Sequence, residues 1–215
     1  LQLTAEGANP TAWSTLANGG KRAPGLPDDR KAACLYVLRS MYQPGDLICA
    51  GPDPRSVRTQ TLAEWGESIA EAAVLVTSPM AARTGLTKDG RQSCRCIGNA
   101  AQRRRYLVVE HDGCSLPRQA ARIAWLSELL PGRLKCLVFS GNKSVHAFFE
   151  VAGLHPGRMR SWFRTAVALG ADNMLWVAHQ CARLPLGIRH SNGVVQEVLF
   201  LREAPLGATV TPSSP

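Results

Sequence analysis

An α+β fold is what the 215-residue sequence predicts, and three observations predict it. Length is the first, because 215 residues bury one good core, or one core plus a small lobe. Composition is the second: 45% hydrophobic and 19% charged residues are ordinary for a globular domain. The third is the run of patterns over residues 105–170, which reads strand, helix, strand, turn, strand, helix. That βαββα order belongs to an RRM-like, or ferredoxin-like, antiparallel sheet with packed helices. Residues 1–104 read as a smaller N-terminal α/β lobe, 105–203 as the RRM-like core, and 204–215 as a flexible tail rich in Pro, Thr and Ser.

Taken in order, residues 1–30 are rich in Gly, Pro, Ala and Asn and predict irregular chain. Residues 28–42 open on capping acids and place Cys34, Leu35, Leu38 and Met41 at helical spacing. Residues 44–51 read as turn then strand, 61–72 as a helix capped by Thr61, and 73–79 as a strand. Residues 83–99 are polar, with Gly85, Gly90 and Gly98 as breakers, and read as a long hairpin or loop. A strand follows over 105–112. The next helix carries Ala120, Ile123, Ala124, Leu126, Leu129 and Leu130 on one face. Two strands then flank the turn at Gly141–Lys143. A second helix over 156–170 ends at Gly170. Residues 194–201 read as one last strand.

No apolar run reaches the roughly 18–20 residues that cross a bilayer, and residues 1–26 lack the apolar segment of a signal peptide. With Leu1 in place of Met, the sequence reads as a trimmed or processed chain. Seven cysteines, an odd count at irregular spacing, argue against a disulfide framework and for a cytoplasmic location. Cys94 and Cys96 are separated by one residue, short of the two to four that a zinc knuckle uses, so buried thiols are expected there. The 25 basic against 16 acidic residues leave a net charge of +9, which favours a polyanionic partner.

Three constellations carry chemistry. The strand "YLVVEHDG" ends in Glu110 and Asp112; side chains at i and i+2 of a strand share a face, and two carboxylates so placed repel unless a cation joins them. Hard Mg²⁺ or Mn²⁺ ions suit such oxygen donors. Without a cation, the pair reads as a strand running out into a solvated acidic turn. In "FSGNKSVHAFFEV", Ser144 and His146 share a face beside Lys143, a hydroxyl, imidazole and ammonium able to clamp a phosphate; a lone hydrogen-bonded His is the plainer alternative. In "QCARLPLGIRH", Arg183 and Arg189 bracket Leu-Pro-Leu-Gly, a turn that could aim two guanidiniums at a phosphate or merely bridge salt pairs.

Read in that order, "VVEHD", "SGNKSVH" and "RLPLGIR" resemble the archaeo-eukaryotic primase superfamily, the catalytic fold of primase-polymerases, in its bacterial plasmid, phage and mobile-element branch. The resemblance covers about residues 45–201. It implies a DNA primase/polymerase that transfers nucleotides with two Mg²⁺ or Mn²⁺ ions on Glu110, Asp112 and Asp172. It further implies that Ser140, Lys143, Ser144, His146, Arg183 and Arg189 bind the nucleoside triphosphate, and that Arg91, Arg95, Arg103, Arg104 and Arg105 follow the nucleic acid. Implied partners are a single-stranded DNA template, a primer and a helicase domain in a parent chain; no membrane is implied. Three departures stand out: Glu where Asp is commoner at 110, Leu186 where Gly often follows the Pro, and a third acid further from the Arg-Leu-Pro segment than usual. These departures favour the alternative, a non-catalytic nucleic-acid-binding module on a degenerate primase fold. A rolling-circle endonuclease is disfavoured, because Tyr36, Tyr42 and Tyr106 have no His-rich setting.

Overall fold

The computed structural model describes residues 22–101 and 104–202. Its elements run α1 (Arg30–Met41), β1 (Leu47–Gly51), β2 (Arg58–Thr61), α2 (Leu62–Trp65), β3 (Val74–Val76), β4 (Gly85–Leu86) and β5 (Gln92–Ser93). Then follow β6 (Tyr106–Glu110), α3 (Leu116–Leu129), β7 (Leu134–Phe139), β8 (Val145–Glu150) and α4 (Pro156–Ala168). The last strands are β9 (Cys181–Arg183), β10 (Ile188–Arg189), β11 (Val194–Val195) and β12 (Val198–Leu201). Short 3-10 turns cover Gly66–Glu71, Ile97–Asn99 and Asn173–Trp176.

Every strand pair is antiparallel. One four-stranded sheet has the order β2-β1-β3-β9 and the other β12-β7-β8-β6; β4-β5 and β10-β11 form two-stranded ribbons. β9 follows α4 in the chain yet completes the sheet built by β1 to β3. A single apolar cluster runs from Ala33 and Leu38 of α1, through Val108 and Phe148, to Phe163 of α4. All seven cysteines are free thiols, and no described helix is long and apolar enough to cross a membrane.

Local chemistry accounts for most element boundaries. Asp29 caps α1 by accepting from the Ala32 N–H at 2.8 Å. Thr61 and Glu64 form a reciprocal capping box at α2. The helix expected over 61–72 is one α turn followed by a 3-10 turn, because Gly66 enters the left-handed region at φ +48°. β2 is absent from the sequence reading: its four residues include no apolar side chain, and only Thr59 is buried. In α3, Gln119, Ala120, Ile123 and Leu126 form the buried stripe. The Trp162 indole of α4 donates to the Leu126 carbonyl at 3.0 Å and meets Phe149 edge-on, which clamps both helices to the sheet.

Two expectations need correction. Residues 194–201 are not one strand. At Gln196, fully buried, the chain leaves the β10-β11 ribbon and joins the second sheet as β12. The Gln196 amide nitrogen donates to the Ala73 carbonyl at 2.8 Å and the Leu184 carbonyl at 3.2 Å, which ties the crossing to both neighbouring segments, while its Oε1 has no partner among the described residues. The strand order also departs from the RRM-like arrangement, where the fourth strand lies beside the first. Here β12 pairs with β7, the second strand of the unit. The edge of β6 is therefore left for residues 171–176, and the Asp172 N–H donates to the Glu110 carbonyl at 3.0 Å.

Candidate active site

β6 and β8 run side by side with Glu110 opposite His146. Directly opposed residues of antiparallel strands project to one face, so carboxylate and imidazole meet. His146 Nε2 lies 3.2 Å from Glu110 Oε1, and the imidazole is almost wholly buried. This is a close contact and not an aligned hydrogen bond, because neither ring nitrogen has a hydrogen-bond partner among the described residues. The Ser144 hydroxyl donates to the same Oε1 at 2.6 Å. Burial pushes the Glu110 carboxyl up, but the His146 contact and charge, the Ser144 hydroxyl and the Arg183 guanidinium together hold it down at about 2, against an ordinary 4.5.

That balance has a pH consequence. A depressed carboxyl stabilises the fold fully above its unfolded-state value of about 4.5, and the contribution is lost as pH falls towards about 2. In a His146→Ala protein the Glu110 carboxyl should titrate higher than in the native protein, and acid unfolding should begin at higher pH. Carboxyl ¹³C NMR reads the first and circular dichroism the second. A Glu110 titration unmoved by the substitution would show that His146 does not set it.

The strand expected over 105–112 ends at Glu110, and Asp112 lies in the turn beyond it. His111 between them is fully buried, where burial and Arg122 keep its imidazole below the usual 6.5. Asp112 emerges into solvent and pairs with Lys143 at 3.1 Å; both side chains are more than half exposed. Asp172 is brought beside Glu110 by its main chain, while its carboxylate caps the Asn173–Trp176 turn by accepting from the Met174 N–H at 2.9 Å. Among the described residues, no three His, Cys, Asp or Glu side chains form a cluster able to hold a metal ion. The donors nevertheless suit a hard divalent cation in kind, being carboxylates at 110, 112 and 172. One oxygen of each is occupied, by Ser144 and His146, by Lys143 and by Met174 respectively.

Ser140, almost fully buried, accepts from the Ser144 N–H at 3.2 Å, and its hydroxyl lies 3.1 Å from the Ser144 hydroxyl, so it shapes the hairpin from within. The Arg183 guanidinium makes no hydrogen bond or ion pair among the described residues, although its main chain lies in the β3–β9 ladder. Burial and the neighbouring Arg189 lower its pKa while Glu110 opposes them. Arg189 donates to Ser191 Oγ at 3.0 Å. Both arginines line a cavity of about 450 Å³, together with Pro52, Asp53, Val74 and His190.

The turn between these arginines carries the one described non-glycine residue at positive φ, Leu186 at +58°. Leu tolerates this conformation poorly, at a cost of roughly 1–2 kcal/mol. The side chain is 1% exposed, so apolar burial offsets the strain. At ordinary φ a Gly variant is less stable than an Ala variant by about 0.5–1 kcal/mol. At 186 we expect Leu186→Gly to be no less stable than Leu186→Ala in urea titrations, because only Gly relieves the strain. The usual order would contradict the strained backbone.

The arginines expected to follow nucleic acid are used differently. Arg105 pairs with Asp46 and spans Tyr42. Arg104 donates to the Trp176 carbonyl and covers its ring at 4.7 Å. Arg95 donates to the His179 carbonyl at 3.2 Å, and exposed Arg91 pairs with Asp89 at 2.5 Å. Arg103 lies outside the described residues.

A positioning residue escaped the sequence reading. Gln119, fully buried, donates to the Cys114 carbonyl at 2.9 Å and the Lys143 carbonyl at 2.7 Å, and accepts from the Val145 N–H at 2.9 Å. It ties the loop after Asp112 to the hairpin that carries Ser144 and His146. A polar residue on the apolar stripe of α3 was the available signal.

No family model and no curated protein matches the chain. Among solved structures it is similar to the AEP domain of the cyanophage S-2L primase-polymerase. The TM-score is 0.48 at 16% identity, over 83% of this chain and 92% of that one.

Proposed function

We propose that the chain is a nucleotidyltransferase of the primase-polymerase type, joining nucleotides from triphosphates on a single-stranded DNA template. The observation that carries the reading is the convergence of Glu110, Ser144 and His146 on one face, with the charge of Arg183 acting on that carboxylate. A partly buried carboxylate kept ionised beside the unpaired Arg183 guanidinium is an arrangement suited to phosphoryl chemistry.

Glu110, Asp112 and Asp172 would hold Mg²⁺ or Mn²⁺. The chemistry a divalent pair supplies there is a lower pKa for the attacking 3′-hydroxyl and neutralised charge on the leaving pyrophosphate. The chain's own groups do the rest. Lys143 now holds Asp112 as a cation would, and turning to the triphosphate frees that carboxylate. Arg183 and Arg189 take phosphate oxygens from the other side of the cleft. Glu110 and Ser144 keep His146 in place to contact the same anion. Gln119 holds the acidic loop and the hairpin in fixed relation.

The test is incorporation of labelled nucleotides on a single-stranded template, with Mn²⁺ or Mg²⁺ against chelator, with and without a primer. Metal-dependent extension is expected; none under any of these conditions would sink the reading. A non-catalytic nucleic-acid-binding module is the second reading, favoured by the missing three-ligand cluster among the described residues. It predicts salt-sensitive DNA binding indifferent to divalent ions.

A further inference from the structure

On the outer side of the Asn173–Trp176 turn, a groove of about 530 Å³ opens against α4. Its floor is apolar, formed by Phe163 and Val167 of α4 with Met174 and Trp176 of the turn. Phe163 is buried and meets Trp176 at a 40° tilt with ring centroids 5.3 Å apart, while Met174 is 53% exposed. Arg104 fixes the Trp176 ring from its own side at 4.7 Å. The walls carry Arg160 and Arg164, one helical turn apart and both exposed. Neither pairs with a carboxylate among the described residues, and no acid lines the groove.

A flat apolar floor between two unneutralised guanidiniums matches the chemistry of unpaired nucleobases on a charged backbone. An aliphatic peptide would use the floor and leave the charges unmatched; a bare polyanion would use the charges and leave Met174 in water. The turn that lines the groove starts at Asp172, whose N–H is bonded to the Glu110 carbonyl. We propose that this groove holds single-stranded nucleic acid, with bases against Met174, Val167 and Trp176 and phosphates on Arg160 and Arg164. The proposal rests on the primase-polymerase reading for its purpose, since the turn that lines the groove is bonded through Asp172 to β6, which carries Glu110. It also gives the strand a surface other than the arginines at 91, 95, 104 and 105, which are engaged within the protein.

The experiment uses the 215-residue chain and a fluorescein-labelled 20-nucleotide oligothymidylate, with anisotropy read over a salt series and no nucleotide or divalent ion present. In the double variant Arg160→Ala/Arg164→Ala, affinity should fall roughly tenfold. The slope of log K against log salt should flatten by about 1.4, two phosphates at about 0.7 each. An abasic strand of equal length should bind the wild type at least about fivefold more weakly, and Met174→Ala should shrink that gap. Circular dichroism confirms that the variants fold. Unchanged affinity and slope in the double variant would overturn the proposal and leave the groove to a protein partner. Equal binding of abasic and normal strands would overturn it too, as mere attraction to a polyanion. The assay contains no reaction, so a wild type unable to synthesise would sink the functional reading without altering this readout. Unchanged binding would sink the groove while the functional reading stands.

Discussion

Glu110→Gln should lower template-directed nucleotide incorporation by roughly 10³-fold or more while the fold persists. The substitution keeps the shape of the side chain, and the amide oxygen can still accept from the Ser144 hydroxyl that now lies 2.6 Å from Oε1. What it removes is the negative charge, on which both the His146 contact and any divalent ion depend. The loss should fall chiefly on kcat, because Lys143 and Arg189 are held by Asp112 and Ser191 and not by the charge lost. Asp112→Ala provides the contrast. That side chain is 59% exposed and its one ion pair is with an equally exposed Lys143, so stability should change by less than about 1 kcal/mol. Incorporation should fall as steeply as in Glu110→Gln. Steady-state kinetics with circular dichroism reads both variants. Synthesis within tenfold of wild type in either would remove that carboxylate from the mechanism.

Gly187→Ala should cost about 3 kcal/mol or displace the turn it closes. A Cβ at 187 would stand 2.2 Å from the Ala72 carbonyl oxygen and 2.8 Å from Leu184 Cδ2, with Gln196 Nε2 at 3.0 Å. The carbonyl belongs to the main chain and accepts from the Ile188 N–H at 3.2 Å, so it has little freedom to retreat. The same turn is held by the Leu186 N–H bonded to the Gln196 carbonyl and by Arg30 bonded to the Leu186 carbonyl. Forcing the turn outward moves Arg183 and Arg189 relative to Glu110. We therefore expect a lower urea midpoint together with a raised KM for nucleotide. An unchanged midpoint would mean that the turn yields without cost.

The site was legible where its chemistry is local. Period-two alternation holds only while the chain stays extended: "SVH" brings Ser144 and His146 together on Glu110, whereas β6 ends at Glu110 and Asp112 sits in the turn beyond it, paired with Lys143. The cap at Thr61 and the helix start at Asp29 were legible for the same reason, being hydrogen bonds closed within three residues. The arginines were not. A guanidinium on a long flexible stem has the same sequence signature whether it faces solvent or, like Arg105, reaches across the fold to Asp46.

By itself the sequence determined the shared face of Ser144 and His146, the amphipathic stripes of α3 and α4, and the net positive charge. Tertiary structure alone decided that Glu110 faces His146, that β12 pairs with β7 so that Asp172 meets the edge of β6, and that Leu186 adopts positive φ. The reason is range. Alternation and capping depend on neighbours a few bonds away, whereas strand order and register are chosen by burial summed over the whole core, to which no single segment holds the key.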